Sequence, residues 1–234
     1  MTAIKRLIPN LFTAGNLVGG ILAIIFTLNG RIDLAPYCIF VSAIFDFLDG
    51  FMARLLKVPS ELGKQLDSLA DMVTFGVAPG IIVFSILGGP LGIVNLLSVG
   101  SITSRRNSVL IDLLGGPSSF LADNLAYIAF LIPIFALFRL AKFNLDTRQT
   151  DSFIGLPTPA MTLFFGVIPI LVSSPIGFMN LSSDNLIRYV LLNPDFLVST
   201  TVLFSILMVA EIPLFALKFK HFKWKGNEIR FIFL

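Results

Sequence analysis

Three residue types common in catalysis and in protein surfaces are scarce here. The 234 residues include one cysteine, one histidine and one tryptophan. A lone cysteine excludes an intrachain disulfide. Cys38 reads as a small apolar filler. A thiol nucleophile has no nearby base, because the sole histidine, His221, lies far off in a basic tail. Charge is scarce too: 13% of residues are charged, against about 25% in a soluble domain. With 56% hydrophobic residues, the composition excludes an ordinary soluble fold and indicates a polytopic membrane protein. Phenylalanine supplies 24 residues against three tyrosines, so the aromatic content is mainly apolar bulk. The net charge of +3 comes from cations that flank apolar runs. That pattern fits anionic lipid and excludes a surface that binds nucleic acid. No internal repeat or low-complexity segment is evident. The first apolar run follows Lys5 and Arg6 and lacks an Ala-x-Ala-like cleavage site, so it reads as a retained helix and not a leader.

The apolar runs predict an all-α integral membrane protein with six transmembrane helices, at about 9–28, 34–56, 66–87, 120–142, 156–172 and 196–217. Each has roughly the 20 residues that cross a hydrocarbon core of about 30 Å. The length suits a single membrane domain over residues 1–234. Asn29-Gly30 signals a turn, and Pro79-Gly80 predicts a kinked or loosened third helix. Residues 88–118 read as a loop with an interfacial segment at 91–99. With the N-terminus inside, 13 cations fall in inside segments and Arg31, Arg105, Arg106 and Arg188 fall outside. The positive-inside rule therefore places both termini in the cytoplasm, with the 57–65 loop.

Four aspartates sit in this apolar chain as two pairs. Asp46 and Asp49 are three apart, followed by Gly50 and Ala53; Gly63, Asp67 and Asp71 follow at steps of four. Such spacings put each set on one helical face. Pro59 and Ser60 suit the turn between, so a helical hairpin over 34–87 brings four carboxylates together. Clustered carboxylates repel one another and are costly near a membrane. One divalent cation or two would relieve this, and oxygen ligands favour Mg²⁺, Mn²⁺ or Ca²⁺. The small residues leave room for a bulky ligand, and Arg54 adds a cation suited to phosphate. Together they point to a phosphorylated substrate. Asn10, Thr13 and Asn16 share one side of the first helix, either as interhelical glue or as ligand contacts.

Asp46-x-x-Asp49-Gly50-x-x-Ala53-Arg54, eight residues, then Gly63-x-x-x-Asp67-x-x-x-Asp71 resembles the CDP-alcohol phosphotransferase motif at every fixed position. The resemblance implies a divalent-metal site of Asp46, Asp49, Asp67 and Asp71, holding two Mg²⁺ or Mn²⁺ ions, with Asp71 as general base. It places CDP-diacylglycerol against Gly50, Ala53, Gly63, Asn10 and Thr13. Arg54 then either holds phosphate or pairs with an aspartate. The lipid tails would lie in the bilayer along the helices. The implied setting is the bacterial inner membrane, with the active site on its cytoplasmic side, and the implied assembly is a homodimer.

The motif does not name the acceptor alcohol. Further stretches resemble the bacterial phosphatidylserine synthase branch of that family: residues 66–79, Arg139-Leu-Ala-Lys142-Phe-Asn144, Gly155-Leu-Pro157-Thr-Pro159 and Pro9-Asn10-Leu-Phe-Thr13 with Asn16. That resemblance implies L-serine as acceptor, with Arg139 and Lys142 as candidates for its carboxylate. The same two cations also suit a helix C-terminus and snorkelling. Phosphatidylglycerophosphate synthesis, or another acceptor in the same family, is the alternative. A cation transporter lined by the aspartates would spread its acids along a pore and often show repeats. Here the other spans hold only Asp123 and Glu211.

Overall fold

In the computed structural model of the protein, residues 2–88, 113, 124–145, 153–173 and 190–214 are described. Helix α1 covers Thr2–Leu28. The basic leader before residue 9, expected to lie outside the first span, is helical, so Pro9 falls inside α1. Gly30 ends the helix at φ 78°. Its N–H bonds the Thr27 carbonyl and the Arg31 N–H bonds that of Phe26, the paired bonds of a Schellman cap. Helix α2, Ala35–Leu55, matches the expected second span and returns along α1. Its cap repeats the pattern: Lys57 N–H bonds the Arg54 carbonyl and Val58 N–H that of Ala53. Here a lysine occupies the left-handed position, at φ 54°.

Helix α3, Glu61–Asp71, starts five residues ahead of the expected third span, because the Ser60 side chain caps it by accepting the Gly63 N–H at 3.0 Å. A wide turn at Met72–Val77 joins it to α4, Ala78–Ile86. The loosening expected at Pro79-Gly80 thus falls just before them. Pro79 has no N–H and its ring crowds the carbonyl four residues back. That carbonyl, of Phe75, faces the Thr162 hydroxyl instead, at 2.8 Å, a hydroxyl that also lies 2.9 Å from the Thr158 carbonyl. The Ala78 N–H reaches back five residues to Val73.

A tight 3₁₀ segment, Leu125–Phe130, leads into α5, Leu131–Leu145. Helix α6 covers Thr158–Ser173 and α7 covers Pro194–Val209. The sixth span was expected to run to residue 217. Instead α7 stops at Val209, since Pro213 disfavours a helical conformation in the residue before it and would clash with the Val209 carbonyl. The chain turns into a two-residue strand β2, Pro213–Leu214, antiparallel to β1, Phe153–Ile154. Among the described residues the regular structure is helical apart from this ladder. Gly155, at φ 74°, lies so close to the end of α7 that a Cβ would meet the Met208 carbonyl oxygen at 2.7 Å. The 91–99 segment, Asp123, most of the 173–194 region and the basic tail lie outside the described residues.

Among the described residues, three helical segments are long and apolar enough to cross a membrane: Leu7–Leu28, Glu61–Ile86 and Leu125–Leu145. Thr158–Leu171 and Pro194–Val209 are shorter apolar helices. The middle segment is the hub. It is 61% buried over its apolar window, against 28% and 33% for the others, and α1, α5 and α6 all pack on it. Phe75, Ile82, Ile132, Met161 and Phe165 fill the interior. Outward positions carry large apolar groups, among them Phe47, Leu69, Leu137 and Phe138. Such a surface is what an integral membrane protein presents to lipid.

Candidate active site

The α2–α3 hairpin brings the two aspartate pairs face to face. One carboxylate oxygen each from Asp46, Asp49 and Asp67 lies within 4.8 Å of the others. Asp46 is also within side-chain hydrogen-bonding reach of both Asp67 and Asp71. The four expected residues therefore form one group, three in a tight cluster and Asp71 against Asp46. An all-oxygen donor set this close suits a hard divalent cation, and Asp46, Asp49 and Asp67 could hold one. Without it, the carboxylates face one another with little to offset their repulsion.

Helix α1 supplies neutral partners for two of these carboxylates. Thr13, 5% exposed, places its hydroxyl 2.7 Å from Asp49 Oδ2 and 3.2 Å from the Pro9 carbonyl. A hydroxyl has one proton, and the charged, nearer acceptor takes it. Asn16, fully buried, donates from Nδ2 to Asp71 Oδ1 at 3.0 Å. Its own backbone carbonyl accepts the Thr74 hydroxyl at 3.0 Å, which ties α1 to the wide turn. The three-residue polar stripe on α1 thus faces the carboxylates. Sequence reasoning left Asn16 between interhelical glue and ligand contact; the structure makes it a partner of Asp71.

Beside the carboxylates lies a cavity of about 200 Å³. Pro9, Asn10 and Thr13 of α1, Asp49, Gly50 and Ala53 of α2, the 58–60 turn, and Gly63, Lys64 and Asp67 of α3 line it. All of the expected small residues are on its wall. A Cβ at Gly50 would meet nothing within 4 Å, and one at Gly63 would sit 3.0 Å from Ser60 Oγ and 3.6 Å from Asn10 Oδ1. Arg54 is exposed, off this wall, and makes no ion pair among the described residues. Lys64, which sequence reasoning passed over, is on it.

Arg139 and Lys142 are not on the cavity wall. Arg139 is 7% exposed. Its Nε donates to the Leu156 carbonyl at 2.6 Å, and its guanidinium lies over the Phe143 ring. It has no carboxylate within 4.0 Å among the described residues. Lys142 pairs with Glu211 at 3.0 Å. Asn144 donates to Ser68 Oγ at 2.8 Å, and its carbonyl accepts Lys64 Nζ at 3.1 Å. This one segment at the end of α5 therefore ties down α3, the start of α6 and the end of α7.

The model of the CDP-alcohol phosphatidyltransferase family matches residues 6–214. The chain belongs to that family. Its members are transferases, and this protein is an enzyme of that class. A Bacillus subtilis protein named CDP-diacylglycerol–serine O-phosphatidyltransferase is 31% identical over 221 residues, covering 94% of each chain. A Helicobacter pylori (strain 26695) protein of the same name is 30% identical over 222 residues, covering 93% of this chain and 75% of the relative. An archaetidylserine synthase of Methanothermobacter thermautotrophicus is 29% identical over 154 residues, 65% of this chain and 53% of the relative. The family match over residues 6–214 spans the aspartate hairpin and the segments around Arg139 and Gly155.

Proposed function

We propose that the protein is a phosphatidylserine synthase, which moves the phosphatidyl group of CDP-diacylglycerol to the hydroxyl of L-serine and releases CMP. The observation that carries the reading is the convergence of Asp46, Asp49, Asp67 and Asp71 beside a cavity walled by Gly50, Ala53 and Gly63. The names of the two bacterial relatives support serine as acceptor.

In this reading Asp46, Asp49, Asp67 and Asp71 hold Mg²⁺ or Mn²⁺, as two ions. When bound, the metal neutralises diphosphate charge and stabilises the leaving phosphate. The carboxylate of Asp71 accepts the proton of the serine hydroxyl. The serine oxygen then bonds to the lipid-side phosphorus as its bond to the CMP oxygen breaks. Asn10, Thr13, Gly50 and Ala53 all line this cavity, so the nucleotide would lie among them. A bulkier side chain at Gly50 or Gly63 would enter that space. For the serine carboxylate, Arg139 is the stronger of the two cations. It is buried with no carboxylate partner among the described residues, whereas Lys142 already has Glu211.

The setting completes the reading: one membrane domain over 1–234 crosses the bilayer six times. Both termini and the aspartate hairpin face the cytoplasm of a bacterial cell, where nucleotides are found. The chain works as a homodimer.

The test is an acceptor panel. Purified protein receives labelled CDP-diacylglycerol with Mg²⁺ or Mn²⁺ and either serine, glycerol 3-phosphate, inositol or inositol phosphate. Serine-dependent CMP release that Asp71→Asn abolishes is the expected result. Release with glycerol 3-phosphate alone overturns the acceptor but keeps the site. No release with any alcohol overturns the whole reading.

A further inference from the structure

We propose that Lys64 is the side chain that grips the diphosphate of the nucleotide-activated substrate, an inference resting on the reading of the cavity as a CDP-alcohol site. Among the described residues, the cavity wall carries two carboxylates, Asp49 and Asp67, and a single cation, Lys64. Arg54, the cation within the motif, is exposed like Lys64 but lies off the wall. A dianionic ligand drawn to the carboxylate-held metal would face Lys64 directly, because Lys64 and Asp67 are three apart on α3 and share its face.

The bonding of Lys64 leaves it free to act. Its ammonium has no carboxylate within 4.0 Å among the described residues. It donates to the neutral carbonyl of Asn144 at 3.1 Å, in an exposed position. An ammonium has three donors, so two are uncommitted, and a charged phosphate oxygen is a stronger acceptor than a carbonyl. Helix α3 keeps its docking to α5 through the Asn144–Ser68 bond if Lys64 turns away. Gly63, next to it, has no side chain to hold a ligand off the backbone. The wall here is also the first turn of α3, whose N–H groups present the positive end of the helix.

The test separates the phosphate contact from a structural tether. The full chain, purified in detergent with Mg²⁺, is titrated with CMP and with cytidine by calorimetry. Wild type, Lys64→Gln, Lys64→Arg and Arg54→Gln are compared. Glutamine keeps an N–H donor for the Asn144 carbonyl but lacks charge; arginine keeps the charge. The expected result is a CMP affinity about tenfold weaker in Lys64→Gln, as for loss of one charge-assisted bond, with cytidine affinity unchanged and Lys64→Arg close to wild type. A wild-type ratio of CMP to cytidine affinity in Lys64→Gln overturns the proposal. So does a ratio that collapses in Arg54→Gln but not in Lys64→Gln. If the wild type itself does not distinguish CMP from cytidine, the nucleotide reading of the cavity fails and this proposal fails with it.

Discussion

Asn16 and Asp71 lie 55 residues apart in the chain and are joined by a hydrogen bond from Asn16 Nδ2 to Asp71 Oδ1 at 3.0 Å. The other end of the amide, Oδ1, is buried with no partner among the described residues. Turning the amide over would set that oxygen against the carboxylate, so the donor orientation is the one that the site enforces. If Asp71 is the base, Asn16 occupies one of its oxygens and leaves the other for the acceptor hydroxyl. Hydrogen bonds to charged groups contribute about 1.5–3 kcal/mol. Asn16→Leu should therefore lower kcat roughly 10- to 100-fold while leaving KM for CDP-diacylglycerol near its wild-type value. Steady-state CMP release with both substrates varied is the measurement. An effect on KM alone would place Asn16 in substrate binding instead.

At Gly50 stability and activity should move in opposite directions. Glycine inside a helix costs about 1 kcal/mol relative to good helix formers, and an added Cβ would meet no atom within 4 Å. Gly50→Leu should thus fold, and melt slightly higher than wild type. Its side chain would project into the cavity that Gly50 lines, so activity should fall by at least tenfold through a raised KM for the CDP substrate. Thermal unfolding in detergent and initial rates check the two halves separately. A variant that melts lower would mean the space at Gly50 is less open than the structure places it.

The wide turn before Pro79 depends on a hydroxyl from another helix. Thr162, fully buried, shares its hydroxyl between the Phe75 carbonyl that Pro79 leaves without its usual N–H, at 2.8 Å, and the Thr158 carbonyl, at 2.9 Å. Thr162→Val keeps the shape and removes the donor. An unsatisfied buried carbonyl costs about 1–3 kcal/mol, so the variant should melt several degrees lower. The turn directly follows Asp71, so activity at low temperature should fall as well. Replacing Thr162 by serine, which restores the donor, should recover both.

The site was more legible in the sequence than the fold around it. Asp46, Asp49, Asp67 and Asp71 with Gly50, Ala53 and Gly63 follow helical spacing on either side of a turn, and local periodicity is what a sequence displays. The polar stripe on α1 was visible as well, but its partners were not: that Thr13 meets Asp49 and Asn16 meets Asp71 depends on how α1 packs, a long-range fact. Lys64 was passed over because nothing local separates a cavity-wall lysine from a membrane-flanking one. The end of α7 went too far because the run stays apolar through Pro213, where backbone sterics overrule hydropathy. The clustering at the end of α5 had a different cause. Arg139, Lys142 and Asn144 form a recognisable segment, yet their partners Leu156, Glu211 and Ser68 come from three other parts of the chain.

The carboxylate cluster makes a prediction that needs no turnover. Asp46, Asp49 and Asp67 hold oxygens within 4.8 Å of one another, and among the described residues no lysine or arginine lies within 4.0 Å of any of them. A cation that binds the folded site and not the unfolded chain stabilises by mass action, about 2.7 kcal/mol at a hundredfold excess over Kd. Mg²⁺ or Mn²⁺ should therefore raise the melting temperature of the purified protein, and EDTA should reverse the rise. Asp67→Asn should respond differently. It removes one repelling charge, so the metal-free protein should melt higher than metal-free wild type, while the increment on adding Mg²⁺ shrinks. Equal increments in wild type and variant would mean that the ion binds elsewhere, and the aspartates would lose their role as its ligands.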